Sequence, residues 1–354
     1  MDLAGLKYFY EQTRAARKIL MVDFGFLGDA LQLVPALWEI RRHYPEAALH
    51  VVSSPLGAEV LRLAPCADKI WPVEIHPQRR KVSEQIRILR ALRRERFDIA
   101  FSFSGSDRAT IFTGLTGARR RVGQAGGRKH FWNQWLIHDW VPRQDPDLTV
   151  WERHRRSLAA CGLALQPPRF DLRVDEASAK WAEPLAPRGA VHLSINSANP
   201  LKEWPLESYA ETLRIVWQTE PQLPFVVSAG ANEREQERLK KFVALVDDKR
   251  LLTLPGKPGI TQLAAVVQRC CLHVGPDSGV VHLAVALGVP TISFFREQGG
   301  YKCWLPVGAA HHALTVPCVC IDHHSGPCEA QSRADCLAKI ESAKVAALIL
   351  GRRN

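Results

Sequence analysis

The chain has 354 residues, of which 46% are hydrophobic and 23% charged, and its formal net charge is +11. This length predicts two domains, and this composition is typical of a soluble globular protein. The longest apolar runs are short and interrupted, which excludes a membrane-spanning helix. Residues 1–20 mix acidic and basic side chains and lack the apolar core of a signal peptide, so the sequence predicts a cytoplasmic protein.

The first predicted elements form a strand–helix–strand unit. Lys18–Phe24 is predicted to be a strand, Gly25–Asp29 a turn, Ala30–His43 a helix and Leu49–Val52 a second strand. The turn follows the carboxyl end of the first strand, where open α/β sheets bind ligands. Its glycines do not match the G-x-G-x-x-G pattern, which argues against a nicotinamide dinucleotide site. Further strands are predicted at Ile99–Phe103, Ala190–Ser194 and Phe225–Ser228.

The first half of the chain is basic, which indicates an anionic partner: nucleic acid, a membrane surface or a phosphorylated substrate. Residues 1–180 contain 29 Lys and Arg against 20 Asp and Glu, whereas the remainder contains 18 against 16. Residues 79–98 have helical spacing, so we expect most of their arginines to form a solvated face. Residues 117–130 are glycine-rich and predicted to be a binding loop. The residues expected to face inward on the helix are Ile86, Ile88, Leu89 and Leu92.

A proline-rich, charged segment at residues 165–189 is the predicted domain boundary. We expect domains at residues 1–175 and 176–354, each a Rossmann-like α/β unit with a mainly parallel sheet. Two such domains would enclose a central cleft, to which each contributes its loops. A final helix is predicted around residues 341–350.

Residues 272–295 repeat the strand–helix–strand pattern, with an Asp-Ser-Gly sequence where the helix starts. Strands are predicted at Leu272–Val274 and Thr291–Phe295, and either Asp277 or Ser278 is the expected helix cap. The N–H groups and the positive dipole end at the start of a helix suit a phosphate. An ordinary capped helix explains these residues equally well, so this segment alone does not decide its function.

The chain contains nine cysteines, which in a cytoplasmic protein are most simply reduced thiols. Four of them lie near two histidines towards the C-terminus, and such a cluster can bind zinc or iron. Because the spacing differs from a paired C-x-x-C motif, structural thiols or a disulfide are favoured over a metal. The clustered residues are Cys318, Cys320, Cys328 and Cys336, with His323 and His324.

Three segments resemble the glycosyltransferase 9 family, the ADP-heptose:lipopolysaccharide heptosyltransferases, and they follow the order found in that family. The first combines a Gly-Asp turn with downstream prolines, the second has a lysine before an aromatic-proline pair, and the third is Asp-Ser-Gly-x-x-His. Together these motifs are specific, although each alone is weak. The matching residues are Gly28, Asp29, Pro35, Tyr44 and Pro45, then Lys202, Trp204 and Pro205, and finally Asp277, Ser278, Gly279 and His282.

The resemblance implies an α/β GT-B fold, in which the first Rossmann-like domain binds the acceptor and the second binds the nucleotide sugar. It implies an inverting, metal-independent transfer of heptose from ADP-heptose to the inner core of lipopolysaccharide, without a cofactor. The basic first half and the absence of a spanning segment predict a peripheral enzyme at the cytoplasmic face of the inner membrane. No nucleic-acid partner is expected, because the donor-like motifs lie in the nearly neutral second half. The alternatives are another glycan or an autotransporter protein as acceptor, a nonenzymatic donor-binding relative, and a basic α/β nucleic-acid-binding protein.

The resemblance also assigns roles to individual side chains. It makes Asp29 the general base that removes the proton of the acceptor hydroxyl, whereas spacing alone favours a helix cap. Lys202 would supply a fixed positive charge to the departing diphosphate. Asp277 would cap its helix or bind sugar hydroxyls, and His282 would contact the donor or orient Asp277. The other expected donor-binding residues are Ser197, Glu233, Glu235, Ser278 and Gly279.

Acceptor binding is expected in the first domain. Arginine is suited to bidentate contacts with phosphate, which favours the basic 117–130 segment. One departure from the family concerns Asp23, which occupies a position where members usually carry a basic residue. The expected acceptor-binding residues are Gly28, Arg120, Arg121, Arg128 and Lys129.

Overall fold

The computed structural model describes residues 6–76, 78, 81–125, 133–318 and 334–351. The chain divides into two compact units, Met1–Arg173 and Val174–Asn354, and the predicted boundary lay two residues further on. No helix within these described ranges is both long enough and apolar enough to cross a membrane.

The first unit contains a parallel sheet with six described strands in the order β3-β2-β1-β4-β5-β6. This is the doubly wound order, in which the direction of winding reverses between β1 and β4. The strands are β1 Lys18–Val22, β2 Ala48–Ser53, β3 Lys69–Pro72, β4 Ile99–Ser102, β5 Arg120–Gln124 and β6 Asp139–Val141. The helices are α1 Phe9–Thr13, α2 Leu27–His43, α3 Pro55–Leu61, α4 Val82–Glu95, α5 Asp107–Leu115, α6 Asn133–Leu136 and α7 Val150–Ala160.

The second unit repeats this topology in its described residues, with the strand order β9-β8-β7-β10-β11-β12. Its switch point therefore lies between β7 and β10. The strands are β7 Val191–Ser194, β8 Phe225–Ser228, β9 Leu251–Thr253, β10 Leu272–Pro276, β11 Thr291–Glu297 and β12 His311–Pro317. The helices are α8 Glu176–Ala182, α9 Leu206–Thr219, α10 Glu233–Val246, α11 Ile260–Arg269, α12 Gly279–Ala286 and α13 Ser342–Leu350, with 3₁₀ turns at Pro200–Lys202, Tyr301–Trp304 and Leu337–Lys339.

The strands are buried because helices cover the sheets. In β1 the residues Ile19–Val22 are all buried, as expected for a central parallel strand. In the second unit one sheet face packs into an apolar core, in which the rings of Trp204 and Phe294 lie 4.5 Å apart. This core fixes the start of α9 beside the strands, so the loop between β7 and α9 is held at the carboxyl edge of the sheet.

Three sequence predictions need correction. Helix α2 begins at Leu27 rather than Ala30, because the Asp29 side chain accepts a hydrogen bond from the Phe26 N–H and stabilises an earlier first turn. The segment predicted to be a basic loop contains β5, which pairs with β4 and β6. Ile86 on α4 is 44% exposed rather than inward-facing, whereas Leu92 is buried.

Candidate active site

In the second unit, the loops that follow β7 and β10 meet at the switch point of the sheet. The Ser197 Oγ donates a hydrogen bond to the main-chain oxygen of Asp277 over 3.1 Å. The Lys202 Nζ lies 2.6 Å from the Asp277 Oδ2, and Asp277 is only 8% exposed. Asp277 therefore holds Lys202 at the carboxyl edge of the sheet, where open α/β sheets bind ligands. The sequence analysis did not predict that Asp277 positions Lys202.

Helix α12 starts directly after this ion pair. Ser278 occupies the position before the first helical residue, but its hydroxyl makes no capping bond, contrary to expectation. The Ser278 Oγ is buried and has no hydrogen-bond partner among the described residues. The first N–H groups of a helix and its positive dipole end attract an anion. An uncapped helix start beside Lys202 is suited to a phosphate.

His282 lies in the first turn of α12 and is almost fully buried. Burial lowers the pKa of its imidazole to about 4; Asp277 acts in the opposite direction, and Lys202 lowers the pKa further. The His282 ring lies 5.4 Å from that of Trp304. At neutral pH the imidazole is uncharged, so it can donate or accept one hydrogen bond at each ring nitrogen without attracting a phosphate as a cation would.

A buried carboxylate that the sequence analysis missed fixes the loop after β7. The Glu203 Oε1 accepts hydrogen bonds from the Ser197 N–H at 2.9 Å and from Arg234 at 2.8 Å. Arg234 also donates to the Ser197 main-chain oxygen at 2.5 Å, and Arg238 donates to that of Trp204 at 2.6 Å. Ser197 is therefore held from both its N–H and its carbonyl. The only sequence signal was an acid next to the Trp204-Pro205 pair.

The two glutamates predicted to contact the donor lie in the first turn of α10. The Glu235 carboxylate accepts hydrogen bonds from the Gly230 N–H and from the Asn232 side chain, both at 2.7 Å. Asn232 in turn caps the N–H of Glu235 at 2.9 Å. Glu235 is thus engaged in stabilising the start of its own helix, and Glu233 is exposed beside it.

In the first unit, two carboxylates flank Gly25 at the carboxyl end of β1. The Asp23 Oδ1 accepts a hydrogen bond from the Gly25 N–H at 2.7 Å, and the Asp29 Oδ2 accepts one from the Phe26 N–H at 2.9 Å. A Cβ at position 25 would lie 2.0 Å from the Asp29 Cβ and 2.8 Å from the Asp23 Oδ1, so only glycine fits. Burial raises the pKa of Asp23, while the Gly25 N–H lowers it. Gly28 lies half-buried in the same first turn of α2.

The structure describes two of the predicted acceptor-binding arginines, and both make structural contacts. Arg120 forms two hydrogen bonds of 3.0 Å with the Asp139 carboxylate. Arg121 donates to the main-chain oxygens of Leu136 and Ala118 at 2.6 and 2.7 Å, and burial lowers its pKa. Both lie at the amino end of β5, the edge opposite to Asp29. We therefore assign neither to the acceptor.

Part of the sequence predictions falls outside the described residues. Arg128 and Lys129 belong to this part, as do Cys320, Cys328 and both clustered histidines. Of the cysteine cluster, Cys318 is buried and its Sγ lies 3.8 Å from the Arg296 Nη1. Within the described ranges no group of three or more His, Cys, Asp or Glu side chains could hold a metal. The cysteine cluster stays a prediction.

Two doubly wound units in one chain, each with polar loops at its switch point, are the architecture of GT-B glycosyltransferases. The profile described as "Glycosyltransferase family 9 (heptosyltransferase)" matches residues 85–329. The chain therefore belongs to glycosyltransferase family 9, and it is a glycosyltransferase. The family and the fold expected from the sequence motifs are both confirmed.

Individual relatives agree with this assignment. The sequence is similar to lipopolysaccharide core heptosyltransferase OpsX of Haemophilus influenzae, with 22% identity over 287 residues and 80% of each chain covered. It is also similar to lipopolysaccharide heptosyltransferase 1 of Pseudomonas aeruginosa, with 25% identity over 320 residues and 85% of each chain covered. The fold is similar to that of Escherichia coli ADP-heptose lps heptosyltransferase II, with a TM-score of 0.74, 18% identity, and 95% and 100% of the two chains covered. The Escherichia coli heptosyltransferase WaaC with ADP gives a TM-score of 0.75, 17% identity, and coverage of 95% and 99%.

Proposed function

We propose that this protein transfers heptose from ADP-heptose to the inner core of lipopolysaccharide by an inverting, metal-independent reaction. The observation that carries the proposal is the Lys202–Asp277 pair beside the uncapped start of α12, at the switch point of the second unit. The names of the related heptosyltransferases support the sugar and the acceptor, and a solved structure of a relative contains ADP.

The second unit binds the donor. The diphosphate lies at the N-terminus of α12, where the N–H groups of Ser278 and Gly279 approach it and Lys202 adds a positive charge. As the sugar–phosphate bond breaks, negative charge accumulates on the leaving diphosphate, and these fixed groups stabilise it without reorganisation. Neutral His282 hydrogen-bonds a hydroxyl of the donor, while the Asp277 carboxylate keeps Lys202 in place.

Asp29 of the first unit is the general base. A carboxylate can accept about four hydrogen bonds, and it can take up the proton of an acceptor hydroxyl that lies within hydrogen-bond distance. The hydroxyl oxygen attacks the anomeric carbon from the side opposite to the phosphate, and its proton passes to Asp29. ADP leaves with the electrons of the broken bond. Because the attack comes from the side opposite to ADP, the configuration of the anomeric carbon is inverted.

The acceptor and the membrane bind the basic first unit. Arg128 and Lys129 recognise the phosphates or acidic sugars of the acceptor through charge-assisted hydrogen bonds. The same positive charge attracts the anionic cytoplasmic face of the inner membrane, so the enzyme works there as a peripheral protein. It needs no nucleic-acid partner and no metal cofactor.

The test is to mix purified protein with ADP-heptose and truncated lipopolysaccharides of defined length, and to measure the products by mass spectrometry. We expect one acceptor to gain the mass of a single heptose residue, with inverted anomeric configuration by NMR. Transfer to a protein or to a glycan unrelated to lipopolysaccharide would refute the proposed acceptor. Salt-sensitive binding of DNA or RNA without any transfer would refute the proposed reaction.

A further inference from the structure

The loop after β7 contains a buried amide whose polar atoms are unused. Asn196 is only 5% exposed, and neither its Oδ1 nor its Nδ2 has a hydrogen-bond partner among the described residues. Buried polar side chains almost always find a partner, because an unsatisfied one lowers stability. An amide that leaves both its donor and its acceptor unsatisfied is therefore expected to serve a ligand.

The main chain around Asn196 is fixed by other residues, so the amide is not needed to hold the loop. Arg238 donates to the carbonyl of Ile195 at 3.2 Å, and Glu203 and Arg234 hold Ser197. These contacts place the unpartnered amide in a rigid loop at the switch point between β7 and β10.

Asn196 lies just after β7 and directly precedes Ser197, whose Oγ contacts the Asp277 main chain. Along β7 the side chain of Leu193 enters the apolar core, which places His192 and Ser194 towards the opposite face. On that face His192 is paired in register with His273 of β10, whose strand leads to the Asp277–Ser278 turn.

A second unpartnered polar atom lies on the facing loop. The buried Ser278 Oγ precedes α12, and the adjacent Asp277 main-chain oxygen accepts the bond from the Ser197 Oγ. The unsatisfied groups of Asn196 and Ser278 thus lie on two loops that contact each other beside Lys202. This grouping points to one bound molecule rather than to two unrelated packing defects.

We propose that Asn196 binds a pair of adjacent hydroxyls of the nucleotide sugar, and this inference rests on the proposed donor. A primary amide presents one acceptor and two donors side by side, and two neighbouring hydroxyls offer the matching donor and acceptor. A phosphate, which only accepts, would satisfy the Nδ2 and leave the Oδ1 unpaired. Two sources carry such a diol, the heptose and the ribose of ADP.

The test compares wild type with Asn196→Leu by calorimetric titration with ADP-heptose, ADP and 2′,3′-dideoxy-ADP. Leucine has a similar shape and offers no hydrogen bond, so affinity for the diol-bearing ligand should fall about 10- to 100-fold. A loss confined to ADP-heptose assigns the heptose diol. An equal loss for ADP-heptose and ADP, with dideoxy-ADP unaffected, assigns the ribose diol.

Unchanged affinity for all three ligands would overturn the inference, and so would an equal loss for dideoxy-ADP. Removing an unsatisfied amide should leave the melting temperature unchanged or raise it; a large fall would show that Asn196 supports the fold instead. If leucine does not fit at this position, Asn196→Ala replaces Asn196→Leu in the same measurements.

Thr113→Val, which removes a buried, unpartnered hydroxyl of the first unit, is the control and should alter no affinity. Wild-type protein that binds ADP but not ADP-heptose would refute the proposed function. The affinities of wild type and variant for ADP and dideoxy-ADP would still show whether Asn196 binds the ribose diol.

Discussion

The two units share a strand order, but the helices that follow their switch-point strands start differently. At the start of α2 the Phe26 N–H is bound by the carboxylate of Asp29. At the start of α12 the Ser278 hydroxyl makes no such bond, and Lys202 lies next to the helix. The Asp29 carboxylate in the first turn of α2 repels a second anion, whereas the carboxylate beside α12, that of Asp277, is paired with Lys202, so the uncapped start of that helix can attract an anion. In the proposed reaction, the same topology therefore provides the base in one unit and the anion site in the other.

This difference shows that topology places a site and that individual side chains decide its chemistry. The first unit presents the carboxylates of Asp23 and Asp29 at its switch point. The second uses its carboxylates, Asp277 and Glu203, to hold Lys202 and Ser197 in position. The following changes, ordered by expected effect, test whether the two switch points have these separate functions.

The largest effect is expected for Asp29. Asp29→Asn preserves an oxygen that can accept the bond from the Phe26 N–H but cannot take up a proton, so turnover should fall about 10²–10⁴-fold. Asp29→Ala should lose turnover as well, and the missing hydrogen bond should cost about 1 kcal/mol of unfolding free energy. Steady-state rates and melting curves measure the two effects. An Asn variant with wild-type turnover would remove Asp29 from the mechanism and make Asp23 the next candidate.

Glu203→Gln should destabilise the second unit. It leaves Arg234 and Arg238 without their carboxylate partner and loosens Ser197, and because both arginines reach solvent we expect a loss of about 2–3 kcal/mol in unfolding free energy. Urea denaturation measures this loss, and donor affinity should fall with it. Glu207→Gln, in the exposed first turn of α9, is the matched control and should change neither quantity. Wild-type stability of Glu203→Gln would show that the network does not fix the loop.

Acid should destabilise the second unit more than the first. Burial lowers the pKa of His192 to about 3, that of His282 to about 4 and that of His273 well below its ordinary value. Below about pH 6.5 the unfolded chain binds a proton on each of these histidines, whereas the folded chain does not. The stability that the neutral histidines contribute is therefore fully present above that pH and is lost as the pH falls towards 4. For His282, whose pKa is about 4, this proton binding lowers the unfolding free energy at pH 5 by about 2 kcal/mol.

In the first unit, among described residues, His154 is the histidine whose pKa falls as far, to about 4. Hydrogen exchange followed by mass spectrometry at pH 7 and pH 5 should therefore show greater loss of protection in the strands of the second unit. Equal losses in both units would contradict the assignment of acid sensitivity to these buried histidines.

The smallest effect is expected for the acceptor residues. Replacing Arg128 and Lys129 together with Gln should raise the acceptor KM about 10-fold, because two charge-assisted contacts with the acceptor are lost. Donor affinity, measured by titration with ADP-heptose, should stay within twofold of wild type. A fall in donor affinity instead would show that the two units do not divide the substrates as proposed.

Much of this fold could be predicted from the sequence. Apolar runs such as Phe225–Ser228 coincide with strands, and the motifs around Asp29 and Asp277 indicated both the family and the GT-B fold. Local patterns succeed here because parallel strands buried on both faces are continuous apolar segments. The strand Arg120–Gln124 was missed because its sequence, with two arginines, a glycine and a glutamine around Val122, forms no apolar run.

The contacts that build the candidate site could not be predicted in the same way. Lys202 and Asp277 are 75 residues apart and meet only because β7 and β10 are neighbours across the switch point. The buried position of Glu203 depends on two arginines from α10, and no local pattern near Glu203 indicates them. The unused amide of Asn196 is visible only once every neighbour is in place.

The central claim is that Lys202 and the uncapped start of α12 bind the phosphates of the donor. Calorimetric titration of wild type and Lys202→Gln with ADP and with adenosine tests it most directly, and Lys240→Gln, a substitution of an exposed lysine on α10, is the control. We predict that Lys202→Gln weakens ADP binding about 10- to 100-fold and leaves adenosine binding and the control unchanged. Wild-type ADP affinity in Lys202→Gln would contradict the claim.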